Sequence, residues 1–465
     1  MRRFSISILP FLLTISMAVT TGCGADTTQI ASVQETGSLW TRKKGSDWPR
    51  MLGPNYDSRS SEVGILTKWP ESGLKVVWTA DTGMGYGNGV ASDGRWFQFD
   101  RFGEVERLSC LHAENGKPIW KWESPVQYRD AYGYNNGPRC SPVVDRDRVY
   151  VFGVAGTLAC IAVSDGALIW KLDTNQTYNV EQNFFGVGAS PLIYQDKLLV
   201  MIGGSRAAEP NGTAMVAFDK ATGKELYRVG NYFASYSAPV IQSVAGREVC
   251  LSLVREGLMS FDPSDGSKML FFPWRASIQE SVNAASPVVW KDRIFISEAY
   301  ERGSALLSMT ESELKPIWID GTGIKGKALR AHWSTPLLDG NLLFGSSGRN
   351  QPDTDLRCLL LNENGLETGT WKPDVRWTKR NHDRMTGLIV DNHLILLGEE
   401  GSLQLLELNK DKLTVLAQMD LDQIRDKRDG KPLMSPPSWA PPVLSHGLLY
   451  VRSEGKVVCL ELIVE

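Results

Sequence analysis

The stretch CSPVVDRDRVYVFGVAGTLACIAVSDGALIW, Cys140 to Trp170, is rewritten with variations along most of the chain. A period of tens of residues decides the fold class before any other feature, because each copy is one supersecondary unit that must bury its apolar faces on its neighbours. Aligned on a small residue followed by proline, the copies start at Pro142, Pro191, Pro239, Pro287 and Pro336, spaced 49, 48, 48 and 49 residues apart, and again at Pro442. TGLI at Gly387 and NGVA at Gly89 fit the same frame with glycine for proline, which makes eight units. Each unit runs from a short apolar stretch (SPVV) through a polar turn (DRDR) to a β-branched and aromatic stretch (VYVFG). An alternating stretch (LACIAV), an Asp-Gly turn and a run ending in Trp complete it. Such runs are strands joined by hairpins. The unit is therefore a four-stranded antiparallel sheet, and sheets with two apolar faces find burial by stacking into a closed ring. The expected fold is all-β, an eight-bladed β-propeller of four-stranded antiparallel blades.

The last unit, Ala440 to Leu462, supplies only three strands, while Lys75 to Gly83 reads as a strand with no unit before it. Joining this N-terminal strand to the last blade closes the ring. Trp120, Trp170 and Trp318 share one position in the fourth strand, with Tyr227 as a substitute, Trp78 in the closing strand and Trp371 as the candidate in the sixth unit. These rings are read as packing between blades, where full burial contributes roughly 3 kcal/mol or more each, rather than as partners of a cofactor. Cys110, Cys160, Cys358 and Cys459 recur in one frame. Equivalent positions lie on different sheets, so these cysteines, with Cys140 and Cys250, read as small buried residues and not as bridge partners.

The chain is 42% hydrophobic and 22% charged with a net charge of -3, a globular composition without the basic excess that nucleic acid demands. Residues 1–23 read as an export signal: Arg2 and Arg3 precede the apolar stretch Phe4 to Val19, which is short for a membrane span. TTGC, ending at Cys23, resembles a bacterial lipobox with Thr20 in place of the usual apolar residue, so Cys23 is the expected lipidation site. Residues 24–46 read as a flexible tether, 47–73 as an entry segment and 74–465 as the propeller. The expected location is the periplasm or cell envelope, membrane-anchored through Cys23, or periplasmic if Cys23 stays unmodified.

Units of the form SPVVxxDRVYVxG and LxCIxxxDGxxxW resemble the repeats of the pyrroloquinoline quinone (PQQ) propeller superfamily. That superfamily includes quinoprotein alcohol dehydrogenases and BamB-like lipoproteins of outer-membrane assembly. The lead-in DWPRMLGPNYDSRSSEVGILTKWP, Asp47 to Pro70, is similar to the entry segment of exported bacterial members. The resemblance runs from Asp47 to the end and implies the fold, while leaving the task open, because one scaffold serves unrelated functions. A quinoprotein dehydrogenase, as the resemblance implies, holds its quinone between a Trp and a disulfide of adjacent cysteines, binds Ca²⁺ through Glu, Asn and Asp, and uses a further Asp as base. The sequence contains no adjacent cysteine pair and no CxxCH haem motif. No Glu, Asn and Asp set falls at equivalent positions. The favoured reading is a non-catalytic binding or scaffold protein of the cell envelope, a monomeric propeller whose partner is an envelope protein or a small ligand. The alternative is a PQQ-dependent oxidoreductase of the alcohol or sugar dehydrogenase type, with PQQ and Ca²⁺ as cofactors.

The loop entering each first strand reaches the narrow centre of a propeller, so the residue three before the proline is a candidate to face the channel. Tyr86, Arg139, Gly188, Tyr236, Ala284, Trp333, Arg384 and Trp439 stand there, with Asn283 and His332 one position further out. Aromatic faces and arginine forks suit a planar or anionic ligand. Alternatively they plug the channel and satisfy loop carbonyls. On the ligand reading, removing Arg139 and Arg384 together abolishes anion affinity with little change in melting temperature. The five histidines show no metal-site spacing, so no metal is expected, and no catalytic residue is assigned.

Overall fold

The computed structural model describes residues 37–180, 184–204, 212–321, 323 and 326–465. The signal segment and Cys23 lie outside the described residues, and the compact unit that carries the fold runs from Gln34 to Glu465. Its described residues form eight four-stranded antiparallel sheets, the blades of a β-propeller. Blade 1 shows the pattern: Val90–Ser92 innermost, then Arg95–Phe102, Val105–His112 and, at the rim, Pro118–Pro125. Inner strands are buried on both faces, whereas rim strands alternate, as an outer edge in water requires. In blade 8 the rim strand is Lys75–Asp81, which pairs with Lys456–Glu461 in the register Val76 to Leu460 and Thr79 to Val458. The ring is thus closed by the two ends of the chain.

What joins one blade to the next is legible in the rim strands. Trp120 faces Cys110, Trp170 faces Cys160 and Trp78 faces Cys459, each beside a β-bulge. A bulge sharpens the local twist and re-aims the side chain it carries. Each indole N–H donates to a backbone carbonyl in the turn of the following blade: Trp78 to Ala113 at 2.7 Å, Trp120 to Val163 at 2.9 Å and Trp170 to Lys220 at 3.1 Å. The Tyr227 hydroxyl does the same to Pro263. The turns receive the rings with glycine: Gly116, Gly166 and Gly223 have positive φ, and a Cβ there would lie 2.8, 2.6 and 2.8 Å from the incoming ring.

Blade 6 departs from the expected frame. Trp377, not Trp371, faces Cys358, and its N–H donates to Asn409 in blade 7 at 2.9 Å. Trp371 lies in the long turn before that strand, donates to Asn362 at 2.6 Å and meets the edge of Trp318 at 5.6 Å. The lengthened turn moved the rim strand along the sequence, and Trp371 became a second layer against the tryptophan of blade 5. The six cysteines are buried and free, in line with their reading as packing residues.

Around the waist, the small hydroxyl residues before the prolines stitch neighbours together. Ser141 N–H donates to Ser190 Oγ at 2.8 Å, Ser286 N–H to Thr335 Oγ1 at 3.0 Å, and Ser286 Oγ to the Ala238 carbonyl at 2.9 Å. The entry segment crosses the opposite end of the channel. Trp48 bridges Ala91 in blade 1 and the Pro49 carbonyl accepts from Val144 in blade 2. Tyr56 then donates to Ile193 in blade 3, and Leu52 packs with Val240 of blade 4 and Ile294 of blade 5. Arg59 holds the Leu338 carbonyl and Asp339 of blade 6, Ser58 and Ser60 pair with Ile389 of blade 7, and the Ser46 carbonyl accepts from Ser445 of blade 8. Every blade is touched by this one strap. Of the expected tether, residues 37–46 are docked as well, with Trp40 stacked on His446 at 4.2 Å and Arg42 paired with Glu461 at 3.3 Å.

Two alanine substitutions separate the blade contact from backbone strain. Gly246 has a φ of +73° in open space, so Gly246→Ala is expected to cost about 1 kcal/mol of left-handed strain. Gly166, at a φ of +77°, adds a collision with Trp120, so Gly166→Ala is expected to cost about 3 kcal/mol. Urea unfolding of the two variants measures the difference.

Candidate functional site

The strap turns the channel into a cup. Met51 lies at its floor, and its walls rise through the blade entries to a mouth edged by Tyr134, Arg349 and Asn350. The cavity measures about 240 Å³. All eight residues three before the proline line it: Tyr86, Arg139, Gly188, Tyr236, Ala284, Trp333, Arg384 and Trp439, together with His332. Asn283 does not. Its amide turns away and donates to the carbonyls of Val254, Arg255 and Trp274, because the buried loop there needs a donor for three oxygens.

Half the wall is a continuous aromatic and cationic arc. Tyr86 packs on Trp439 with centroids 4.6 Å apart and Trp439 on Trp333 at 5.8 Å. The guanidinium of Arg139 sits 5.5 Å from the Tyr86 ring, and that of Arg384 lies 5.8 Å from Trp333 and 5.5 Å from Trp439. Behind these two arginines, for which an anion grip was the expectation, stand carboxylates of the protein itself. Arg139 pairs with the fully buried Asp130 at 2.7 Å. Arg384 forks onto Glu399, at 2.9 Å through Nε and by a second, shorter contact through Nη2. Trp439 Nε1 donates to the same carboxylate at 3.1 Å. Both charges are neutralised within the protein, and their removal strands a buried carboxylate.

Beside this arc, Tyr300, Arg349 and Glu399 come from the turns between second and third strands of blades 5, 6 and 7. These turns open on the same face as the blade entries. Arg384 Nη1 lies 3.2 Å from His332 Nδ1 and Tyr300 Oη lies 3.3 Å from His332 Nε2. Arginine can only donate, so Nδ1 accepts and Nε2 carries the proton of a neutral ring. Burial and the cations Arg384 and Arg349 push His332 down to about 3. Burial pushes the Tyr86 and Tyr300 phenols up to about 12. Behind the arc, burial and the neighbouring Glu399 and Glu400 push Asp383 up to about 7, while Arg384 helps hold Glu399 low.

The repeat frame found the blade entries but not Arg349, Tyr300 or the carboxylates. A usable signal was the unit itself: turns after the second strand share the entry face, so GRN at Gly348 and EAY at Glu298 were readable as rim residues.

Two outcomes follow for stability. Arg384→Gln leaves Glu399 buried without its fork and is expected to cost about 3 kcal/mol or more in denaturant unfolding, reversing the expectation of a nearly unchanged melting temperature. Asp383 keeps in the folded state a proton that the unfolded chain loses near 3.8, so its favourable contribution is complete below that pH and lost as pH rises through about 7. Asp383→Asn is therefore expected to gain stability relative to the parent between pH 5 and 8, read from melting curves at stepped pH.

The comparisons with known proteins agree with this architecture. The family model of the outer membrane protein assembly factor BamB matches residues 69–226 and 122–354, more than half of the chain. The quinohemoprotein alcohol dehydrogenase ADH-IIG of Pseudomonas putida is 24% identical over 243 residues, which are 49% of this chain and 32% of that protein. The matched region thus spans about a third of that relative's length. Among solved structures, BamB from Moraxella catarrhalis aligns with a TM-score of 0.53 at 12% identity, covering 84% of this chain and 98% of its own. The quinohemoprotein alcohol dehydrogenase from Comamonas testosteroni gives 0.46 at 13% identity, covering 89% and 80%. At such identities the Moraxella structure speaks for the fold alone. The chain belongs to the BamB family of PQQ-like β-propellers.

Proposed function

We propose that the protein is a non-catalytic binding or scaffold propeller of the cell envelope, exported and held to the membrane through a lipid on Cys23. Loops on the mouth face engage a partner protein or a ligand, and the closed ring supplies rigidity. The observation that carries this reading is the lining of the cup, which among the described residues holds no carboxylate and keeps its one histidine between Arg384 and Tyr300. His332 is pushed down to about 3 and the Tyr86 and Tyr300 phenols up to about 12, so none of these three exchanges a proton near neutrality, where a general acid or base must work. Membership of the BamB family and the lipobox-like TTGC support the envelope location.

The second reading, a PQQ-dependent oxidoreductase, draws on the similarity to alcohol dehydrogenase ADH-IIG. The residues of the cup do not fit that group. Its described lining contains no Asp or Glu to hold Ca²⁺ and two of its three arginines are already matched by carboxylates. The cysteines are dispersed and buried, and burial raises the thiols.

Purified protein is expected to show no new absorbance and no dye reduction with alcohols or sugars after addition of PQQ and Ca²⁺. Cofactor uptake with turnover overturns the proposal. In cells, Cys23→Ala is expected to move the protein from the membrane to the soluble envelope fraction, and unchanged membrane recovery removes the lipid anchor.

A further inference from the structure

We infer that the cup binds a small planar monocarboxylate, whose carboxylate is held by Arg349 and the Tyr300 hydroxyl against the Tyr86, Trp439 and Trp333 wall. This rests on the reading of the cup as a ligand site and names the ligand class that its own groups select.

The argument is a charge count followed by a proton count. Arg139, Arg349 and Arg384 line the cavity, and among the described residues no carboxylate does. Asp130 and Glu399 stand directly behind Arg139 and Arg384 and neutralise them. Arg349 has no carboxylate partner among the described residues, and its guanidinium lies 4.7 Å from the centre of the Tyr300 ring. His332 is neutral because Arg384 donates to its Nδ1. Counted over these described lining groups and the two carboxylates behind them, one positive charge is left over, at the mouth, and one negative charge on a ligand balances it.

The same histidine aims the second anchor. With Nε2 as its only N–H, His332 donates to Tyr300 Oη at 3.3 Å, and the phenol proton is left to point elsewhere. It has no other partner among the described residues. A hydroxyl held as acceptor on one side becomes a donor on the other, beside a guanidinium with no carboxylate partner among the described residues, which is the donor pair a carboxylate takes. The wall argues for a flat ligand, and a volume of about 240 Å³ argues for a small one, below the usual range for drug-sized ligands. A quaternary ammonium is disfavoured, since Arg139 and Arg384 already lie against these rings and Arg349 repels it.

Calorimetric titration of the folded protein with benzoate, benzamide and benzyltrimethylammonium tests the inference. Benzoate is expected to bind, with its neutral isostere benzamide about tenfold weaker or more and the ammonium silent. Arg349→Gln is expected to weaken benzoate by about tenfold and to leave the melting temperature unchanged, because the side chain makes no ion pair within the described fold. Tyr300→Phe is expected to weaken benzoate by about threefold or more without altering benzamide. The inference is overturned if benzamide binds as well as benzoate, if Arg349→Gln binds benzoate like the parent, or if benzoate gives no signal at about 10 mM. Those results with no PQQ-linked turnover sink the ligand class alone, whereas dye reduction with PQQ sinks the binding-protein reading itself.

Discussion

The structure depends on one contact that recurs at five of the blade seams: a rim-strand aromatic donating a hydrogen bond into the turn of the next blade, over a glycine at all of them but the Trp377 seam. A blade alone has two greasy faces and no preferred angle to its neighbour. The indole fixes that angle because it makes an apolar contact and a directional bond at once, and the glycine removes the one methyl group that would hold the ring away. The chain varies this device where it must. Blade 5 leans its Trp318 on Trp371 where the next turn is long, and blade 7 has Ala417 in place of a ring, facing a last blade that has no such turn to receive one.

The cup inherits its geometry from that angular order. Eight chain segments, one entering each blade, arrive at the centre, so residues far apart in sequence become one wall. The strap then changes what the centre is. Without Met51 and its neighbours the ring would enclose a tube; with them it has a floor, and whatever enters does so from the side of the blade entries.

How much of this the sequence disclosed follows from periodicity. Blade number, strand order, ring closure and the depth of the entry residues are fixed by the repeat, and so were legible. Trp377 was missed because it stands nineteen residues after Cys358, whereas Trp120 and Trp170 stand ten after Cys110 and Cys160, and Trp371 falls nearer the expected count. The strap is aperiodic, and no pattern in DWPRMLGPNY states that it will lie across eight blades. Asp130 and Glu399 illustrate the deeper limit. An arginine's position is written in the frame, but whether its charge is available depends on which loop folds back against it.

Closure by the chain's two ends has a consequence for the order of assembly. Lys75–Asp81 is made before the seven blades that separate it in sequence from the strand it pairs with, Lys456–Glu461. Until that strand exists it must travel as an orphan ribbon, a ready template for pairing with another molecule. Its charged ends, Lys75 and Asp81, and the kink between Val76 and Trp78 blunt that hazard, so the same bulge that aims an indole also guards a nascent chain.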